Sequence, residues 1–125
     1  MMSLERLLPS WILLLLVLGS GIWLSHKGKP LNTAIFTLHK LIALAGVVLT
    51  AIPLVDVFQT LDAPSRLILA VSLAGAGTLA LFLTGALMSI GKLTYNVLRT
   101  VHIVAAGWVI VALASTGYMI YFPGY

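Results

Sequence analysis

The sequence predicts an all-α integral membrane protein, an up-down-up-down four-helix bundle that occupies residues 1–125 as one domain. The chain is 61% hydrophobic and only 8% charged, with a mean hydropathy of +1.13, whereas soluble domains carry roughly 25% charged residues. Four apolar runs each reach the roughly 20 residues that a helix needs to cross the hydrocarbon core. The three connectors between these runs are short, so consecutive helices should be antiparallel neighbours.

The composition also excludes several classes of function. The chain has no cysteine, which excludes disulfides, thiolate metal sites and thiol catalysis. It has only three acidic residues, which excludes a water-facing active site rich in carboxylates. The net charge of +4 does not indicate a nucleic-acid partner, because Lys and Arg in a membrane protein primarily set its topology. We therefore expect the lipid bilayer as the surroundings and no nucleic acid as a partner.

The first predicted span covers about residues 7–25. Its apolar run resembles the core of a cleaved signal peptide, but Glu5 precedes it and no A-x-A-like cleavage site follows. We therefore interpret this run as a retained helix. It ends before the connector HKGKPLN, in which Gly28 and Pro30 are turn-forming residues.

The second and third predicted spans cover about residues 33–58 and 65–90. Pro53 predicts a kink in the second span. Asp62 is a possible N-cap of the third span, and Gly91 is a typical C-cap residue at its end.

The fourth predicted span covers about residues 95–122 and completes the topology. Its end carries Tyr118 and Tyr121, followed by Tyr125, which predicts an aromatic belt at the membrane surface. Positive residues cluster in or beside the first and third connectors: Lys27, Lys29, Lys40, Lys92 and Arg99. The opposite side has only Arg6 and Arg66. This asymmetry predicts a multi-pass protein of a bacterial-type inner or plasma membrane, with both termini outside.

Two histidines lie inside the predicted spans at matching depth. His39 is six residues into the second span and His102 seven into the fourth, which places each roughly 9–10 Å inside its helix start. In a square bundle these helices are diagonal and on the order of 13 Å apart. That gap is too wide for direct contact but suits an imidazole–iron–imidazole axis. The sequence thus predicts one haem ligated by His39 and His102; a bare metal ion would need further ligands.

Small residues accompany both histidines. On the ligand helices they follow at helical spacing, and on the flanking helices they lie at the corresponding depth: Ala43, Gly46, Ala105, Ala106, Gly19, Gly21 and Gly85. They either give a macrocycle room or simply allow close helix packing. Arg99, three residues before His102, is either a partner for haem propionates or a marker of the cytoplasmic interface.

Together these residues resemble the four-helix transmembrane b-type cytochromes. The matching elements are His39 in FTLHKLIALAG, His102 in LRTVHIVAAG, and the glycines at 19, 21 and 85. In that family histidines of the second and fourth helices hold haem, and glycines of the first and third helices give it room. The family has two histidines per ligand helix, whereas this chain has one. The resemblance therefore implies one haem b per chain, close to one membrane surface.

The predicted function is electron transfer by a single-haem membrane cytochrome, with a quinol, a partner reductase or superoxide as redox partner. If it is an enzyme, it would be a haem-dependent membrane oxidoreductase. For a quinone, Thr94, Tyr95 and Asn96 lie near the expected haem edge. The small size favours a homo-oligomer or a subunit of a larger complex.

Two alternatives remain open at this point. One is a haem-handling or haem-sensing membrane protein, and the other is a cofactor-free structural subunit in which the histidines pack by hydrogen bonds. Each half of the chain has one histidine in the second helix of its pair, which is compatible with a duplicated helical hairpin. Beyond this shared position, the sequence alone indicates no repeat.

Overall fold

The chain folds into long α-helices. A computed structural model describes residues 4–60, 64–91 and 93–122, and these form α1 (Leu4–Lys27), α2 (Thr33–Thr60), α3 (Ser65–Ile90) and α4 (Tyr95–Tyr121). Within those ranges no residue lies in a β-strand. The predicted all-α class is confirmed, and every helix end lies within three residues of its predicted position.

Each helix is long and apolar enough to cross a bilayer. The membrane-length segments run over Leu8–Lys27, Thr33–Gln59, Ser65–Ile90 and Tyr95–Tyr121. Large apolar side chains point outward along them; Leu15 is 68% exposed and Val111 67%. Water-soluble chains rarely leave such continuous apolar surface uncovered. The chain is therefore a multi-pass membrane protein whose outward faces contact lipid.

The chain divides into two compact units, Met1–Asp62 and Ala63–Tyr125, and each contains one helical hairpin. Within each hairpin, residues later in the first helix contact residues earlier in the second helix. These pairs are Ser10–Leu49 and Gly21–His39 in the first unit, and Gly77–Val109 and Gly85–His102 in the second. Both hairpins are therefore antiparallel, as the short connectors predict.

The second hairpin packs through small residues. A Cβ atom added at Gly77 would lie 2.7 Å from Cγ2 of Val109 and 2.8 Å from Cδ1 of Trp108. The Trp108 indole Nε1–H donates a hydrogen bond of 3.1 Å to the carbonyl oxygen of Leu73 on α3. Small residues let membrane helices approach closely enough for such contacts. Gly77 therefore sets the spacing between α3 and α4.

The first hairpin accommodates a proline within the membrane. α2 continues through Pro53, which has no N–H to donate to the carbonyl of Leu49 one turn earlier. The Ser10 hydroxyl of α1 donates to that same carbonyl oxygen at 3.1 Å. A backbone carbonyl without a donor is costly in hydrocarbon. The neighbouring helix thus replaces the hydrogen bond that Pro53 removes.

Left-handed glycines end the first helix of each hairpin. Gly91 caps α3 with φ +70°, as predicted, and Gly28 follows α1 with φ +65°. Their N–H groups donate to carbonyls four residues earlier, each at 3.2 Å. The N-cap of α3 is Pro64, without a side-chain capping bond. Three residues named in the predictions, Asp62, Lys92 and Tyr125, lie outside the described residues.

Candidate functional site

The first unit holds the His39 imidazole between α1 and α2. His39 lies six residues after the start of α2 and is half-buried. Its Nδ1 atom is 2.8 Å from the hydroxyl oxygen of Ser20 on α1. At the next residue, Gly21, an added Cβ atom would lie 3.2 Å from Cε1 of the ring. α1 thus presents a hydroxyl group and then bare backbone to the Nδ1–Cε1 edge.

The second unit holds the His102 imidazole in the same manner. His102 lies seven residues after the start of α4 and is also half-buried. Its Nδ1 atom is 2.7 Å from the hydroxyl oxygen of Thr84 on α3. A Cβ atom at the adjacent Gly85 would lie 3.7 Å from Cε1 of His102. In both hairpins a hydroxyl–glycine pair on the first helix faces a histidine on the second; we call each set of three residues a half-site.

The two half-sites belong to a repeat that the histidine positions alone do not establish. Aligned on these contacts, the first hairpin reads S-G-x3-S-x2-G-K-x7-T-x-H-x3-A from Ser20 to Ala43. The second reads T-G-x3-S-x-G-K-x7-T-x-H-x3-A from Thr84 to Ala106. The single length difference falls in the last turn of the first helix of each hairpin, just before the Gly-Lys pair. The shared hydroxyl, glycine and histidine positions indicate a duplicated helical hairpin.

The other predicted site residues occupy different surroundings. A Cβ atom at Gly19 would meet nothing within 4 Å, and one at Gly46 would lie 3.7 Å from Cβ of Leu13 on α1. Ala105 is buried in the second hairpin, while Ala43 and Ala106 are half-buried. Of the described glycines, Gly21 and Gly85 are therefore the two that lie against the imidazole rings.

The cations near the histidines lie at the helix surfaces. Arg99 is exposed on α4, one turn before His102. The Lys40 ammonium lies 4.2 Å from the centre of the Phe36 ring, one turn back on the same helix, which is a cation–π contact. Arg99 therefore lies at the surface of α4 on the turn before His102, and Lys40 packs against an aromatic ring of its own helix.

A shallow groove lies on α4 near these residues. It has a volume of about 320 Å³ and is lined by Asn96, Val97, Thr100 and Val101. The Thr100 hydroxyl donates to the Asn96 carbonyl at 2.9 Å. Asn96, the last residue of the predicted Thr94–Asn96 group, thus lies at this open groove.

The residues of each half-site suit an axial haem ligand. Metal-binding histidines commonly use one ring nitrogen for a hydrogen bond that orients the ring and the other for the metal. Both half-sites have such a bond to Nδ1, with glycine beside the ring. Among the described residues no group of three or more His, Cys, Asp or Glu side chains could hold a bare metal ion.

Sequence reasoning did not identify Ser20 and Thr84. Hydroxyl residues in membrane helices commonly bond to their own helix one turn back, so neither residue stands out alone. The sequence feature that could have identified them is the hydroxyl–glycine pair, Ser20-Gly21 or Thr84-Gly85, which precedes a histidine in both hairpins at nearly the same spacing. Comparison with known proteins adds no further assignment: no protein-family model, curated protein or solved structure matches the chain.

Proposed function

We propose that this chain is a membrane-embedded b-type cytochrome that holds one haem b through His39 and His102 and transfers electrons. Each hairpin contributes one axial imidazole. The observation that carries the proposal is the equivalence of the two half-sites, since both imidazoles bond through Nδ1 to a hydroxyl and lie against a glycine.

The chemistry follows from the ligand set. Haem supplies a one-electron redox centre when bound. With the imidazoles of His39 and His102 as its protein ligands, the haem would serve electron exchange and not oxygen binding. Arg99 would bind a propionate, since it is an exposed cationic residue one turn before His102 on α4. A quinol, a partner reductase or superoxide would exchange electrons with the haem, a quinol as donor being oxidised to the quinone.

The membrane orientation belongs to the same proposal. We place the connectors that carry Lys29 and Lys92 on the cytoplasmic side of a bacterial-type membrane, with both termini outside. Each histidine lies within two turns of the helix end that follows such a connector. The haem would therefore lie near the cytoplasmic surface, and a homo-oligomer or a partner subunit would complete the electron path.

An absorption spectrum of the purified chain tests the proposal. The wild type should show a Soret band and, after dithionite reduction, the sharp visible bands of six-coordinate low-spin haem. His39→Ala and His102→Ala should each lose most of the bound haem or shift it to five-coordinate, high-spin iron. His26→Ala is the matched control, because His26 is an exposed histidine at the end of α1, and its haem content should equal that of the wild type.

The outcomes separate the proposed function from the alternatives. A wild-type chain without a Soret band after expression in haem-replete cells would exclude the cytochrome and leave the structural role. Unchanged spectra in both His39→Ala and His102→Ala would exclude these ligands. Reversible reduction by a quinol with haem retained supports electron transfer, whereas release of haem to an acceptor without redox turnover supports haem handling.

A further inference from the structure

The hydroxyl groups of Ser20 and Thr84 make two kinds of contact. Besides approaching the imidazoles, the Ser20 hydroxyl donates to the carbonyl oxygen of Val17 at 3.0 Å. The Thr84 hydroxyl donates to the carbonyl oxygen of Ala80 at 2.7 Å, with that of Leu81 at 3.1 Å. A hydroxyl has one proton but two lone pairs. Once its proton is given to a backbone carbonyl, its oxygen can only accept from the imidazole.

One distribution of these protons defines the tautomer of both histidines, namely that in which each hydroxyl donates to the backbone carbonyl and accepts from the ring. If the hydroxyl oxygens accept, Nδ1 of His39 and of His102 must carry the ring proton and donate it at 2.8 and 2.7 Å. A neutral imidazole protonated at Nδ1 has its lone pair at Nε2. The same assignment holds in both repeats, although one uses serine and the other threonine.

We infer that Ser20 and Thr84 are positioning residues that present Nε2 of each histidine as the iron-binding nitrogen and raise its electron donation. The inference rests on the proposed haem function. An acceptor at Nδ1–H makes the imidazole a more basic ligand, which stabilises ferric over ferrous iron. The two hydroxyls therefore lower the reduction potential of the haem and tighten its binding.

Removal of each hydroxyl tests the inference on the full chain. Thr84→Val keeps the side-chain shape and Ser20→Ala removes a single atom, so both variants should fold. We expect each to keep a six-coordinate spectrum, to shift the midpoint potential to more positive values, and to weaken haem binding by about 10- to 100-fold. Redox titration and the rate of haem transfer to excess apomyoglobin measure the two effects.

Matched variants isolate the contact with the imidazole. Ser20→Thr and Thr84→Ser exchange the residues of the two repeats, keep a hydroxyl, and should retain the wild-type potential and haem-transfer rate. Thr78→Val removes a hydroxyl of α3 that donates to the Ala74 carbonyl of its own helix at 2.8 Å; it should also leave both quantities unchanged.

Three results would overturn the inference. A haem-loaded wild type whose potential and transfer rate are unchanged in Ser20→Ala and Thr84→Val would overturn this assignment alone. Equal shifts in Thr78→Val would attribute the effect to helix packing and also overturn it. A wild type that binds no haem would overturn the proposed function and, with it, this assignment.

Discussion

At the scale of single residues, the glycine beside each imidazole limits where the ring can lie. Gly21 is the tighter of the two positions, because an added Cβ atom would lie 3.2 Å from Cε1 of His39. Contacts at that distance force a neighbouring group to move, and the ring that would move is the one bonded to Ser20. At Gly85 the corresponding distance of 3.7 Å to His102 is an ordinary van der Waals contact.

This difference predicts unequal effects of alanine. Gly21→Ala should displace the His39 ring and reduce haem affinity by roughly 10-fold or more, whereas Gly85→Ala should have a smaller effect. Haem per chain after purification, measured by the pyridine haemochrome method, checks both.

Gly75→Ala is the control, because Gly75 lies outside the predicted site and a Cβ atom there would meet nothing within 4 Å. Equal haem loss in Gly75→Ala and Gly21→Ala would contradict a specific contact with the ring.

The sequence identified the histidines but not which flanking residues face them. Hydropathy predicts how deep a residue lies in the membrane, and Gly19 and Gly21 have nearly the same predicted depth. α1 and α2 are apolar on nearly every side, so no amphipathic stripe indicates how either helix is rotated about its axis. The rotation follows from side-chain packing within the hairpin, which only the structure supplies.

At the scale of helices, the hydrogen bond from the Ser10 hydroxyl on α1 to the Leu49 carbonyl on α2 replaces the backbone bond that Pro53 cannot make. The contribution of this hydrogen bond to stability depends on Pro53, since any other residue at that position would donate its own N–H to the Leu49 carbonyl. Ser10 and Pro53 should therefore be energetically coupled, although no contact between their side chains is needed.

A double-mutant cycle measures this coupling. Ser10→Ala should destabilise the protein by about 0.5–2 kcal/mol, as expected for an interhelical hydrogen bond in a membrane protein. In a Pro53→Ala background the same change should have an effect near zero, because the backbone N–H that this substitution restores then satisfies the carbonyl. Unfolding of the detergent-solubilised protein by SDS gives the four free energies.

Ser115→Ala serves as the control, since its hydroxyl donates to the Val111 carbonyl of its own helix. It should cost the same in both backgrounds. An equal cost of Ser10→Ala with and without Pro53 would refute the link between the serine and the proline.

The helix bounds were more predictable than the helix contacts. Bilayer thickness sets the length of each span, and residues such as Gly28 and Gly91 end helices through a conformation that favours glycine. Those rules act locally along the chain and can be read from it. The Ser10–Leu49 bond joins positions 39 residues apart, and nothing local in either segment predicts it.

At the scale of the whole molecule, charge placement predicts the orientation in the membrane. The absence of native cysteine makes single-cysteine labelling direct. Leu93→Cys places a thiol at an exposed position in the third connector, and Ser65→Cys places one at the exposed start of α3. On intact cells a membrane-impermeant maleimide should label Ser65→Cys, and should label Leu93→Cys only after the membrane is permeabilised.

The cysteine-free wild type gives the background for this experiment. Labelling of Leu93→Cys but not of Ser65→Cys on intact cells would reverse the orientation. It would place the histidine-bearing ends of α2 and α4 on the outer side, and the redox partners would then have to be sought there.

The replaced hydrogen bond at Pro53 also bears on how the chain enters the membrane. A ribosome delivers α1 before α2, so the Ser10 hydroxyl is already in the bilayer when the Leu49 carbonyl arrives. Because a carbonyl without a donor is unstable in hydrocarbon, α2 gains its full stability only alongside its predecessor. The order of synthesis thus makes the donor on α1 present before its acceptor on α2, and α2 depends on α1 for its full stability in the membrane.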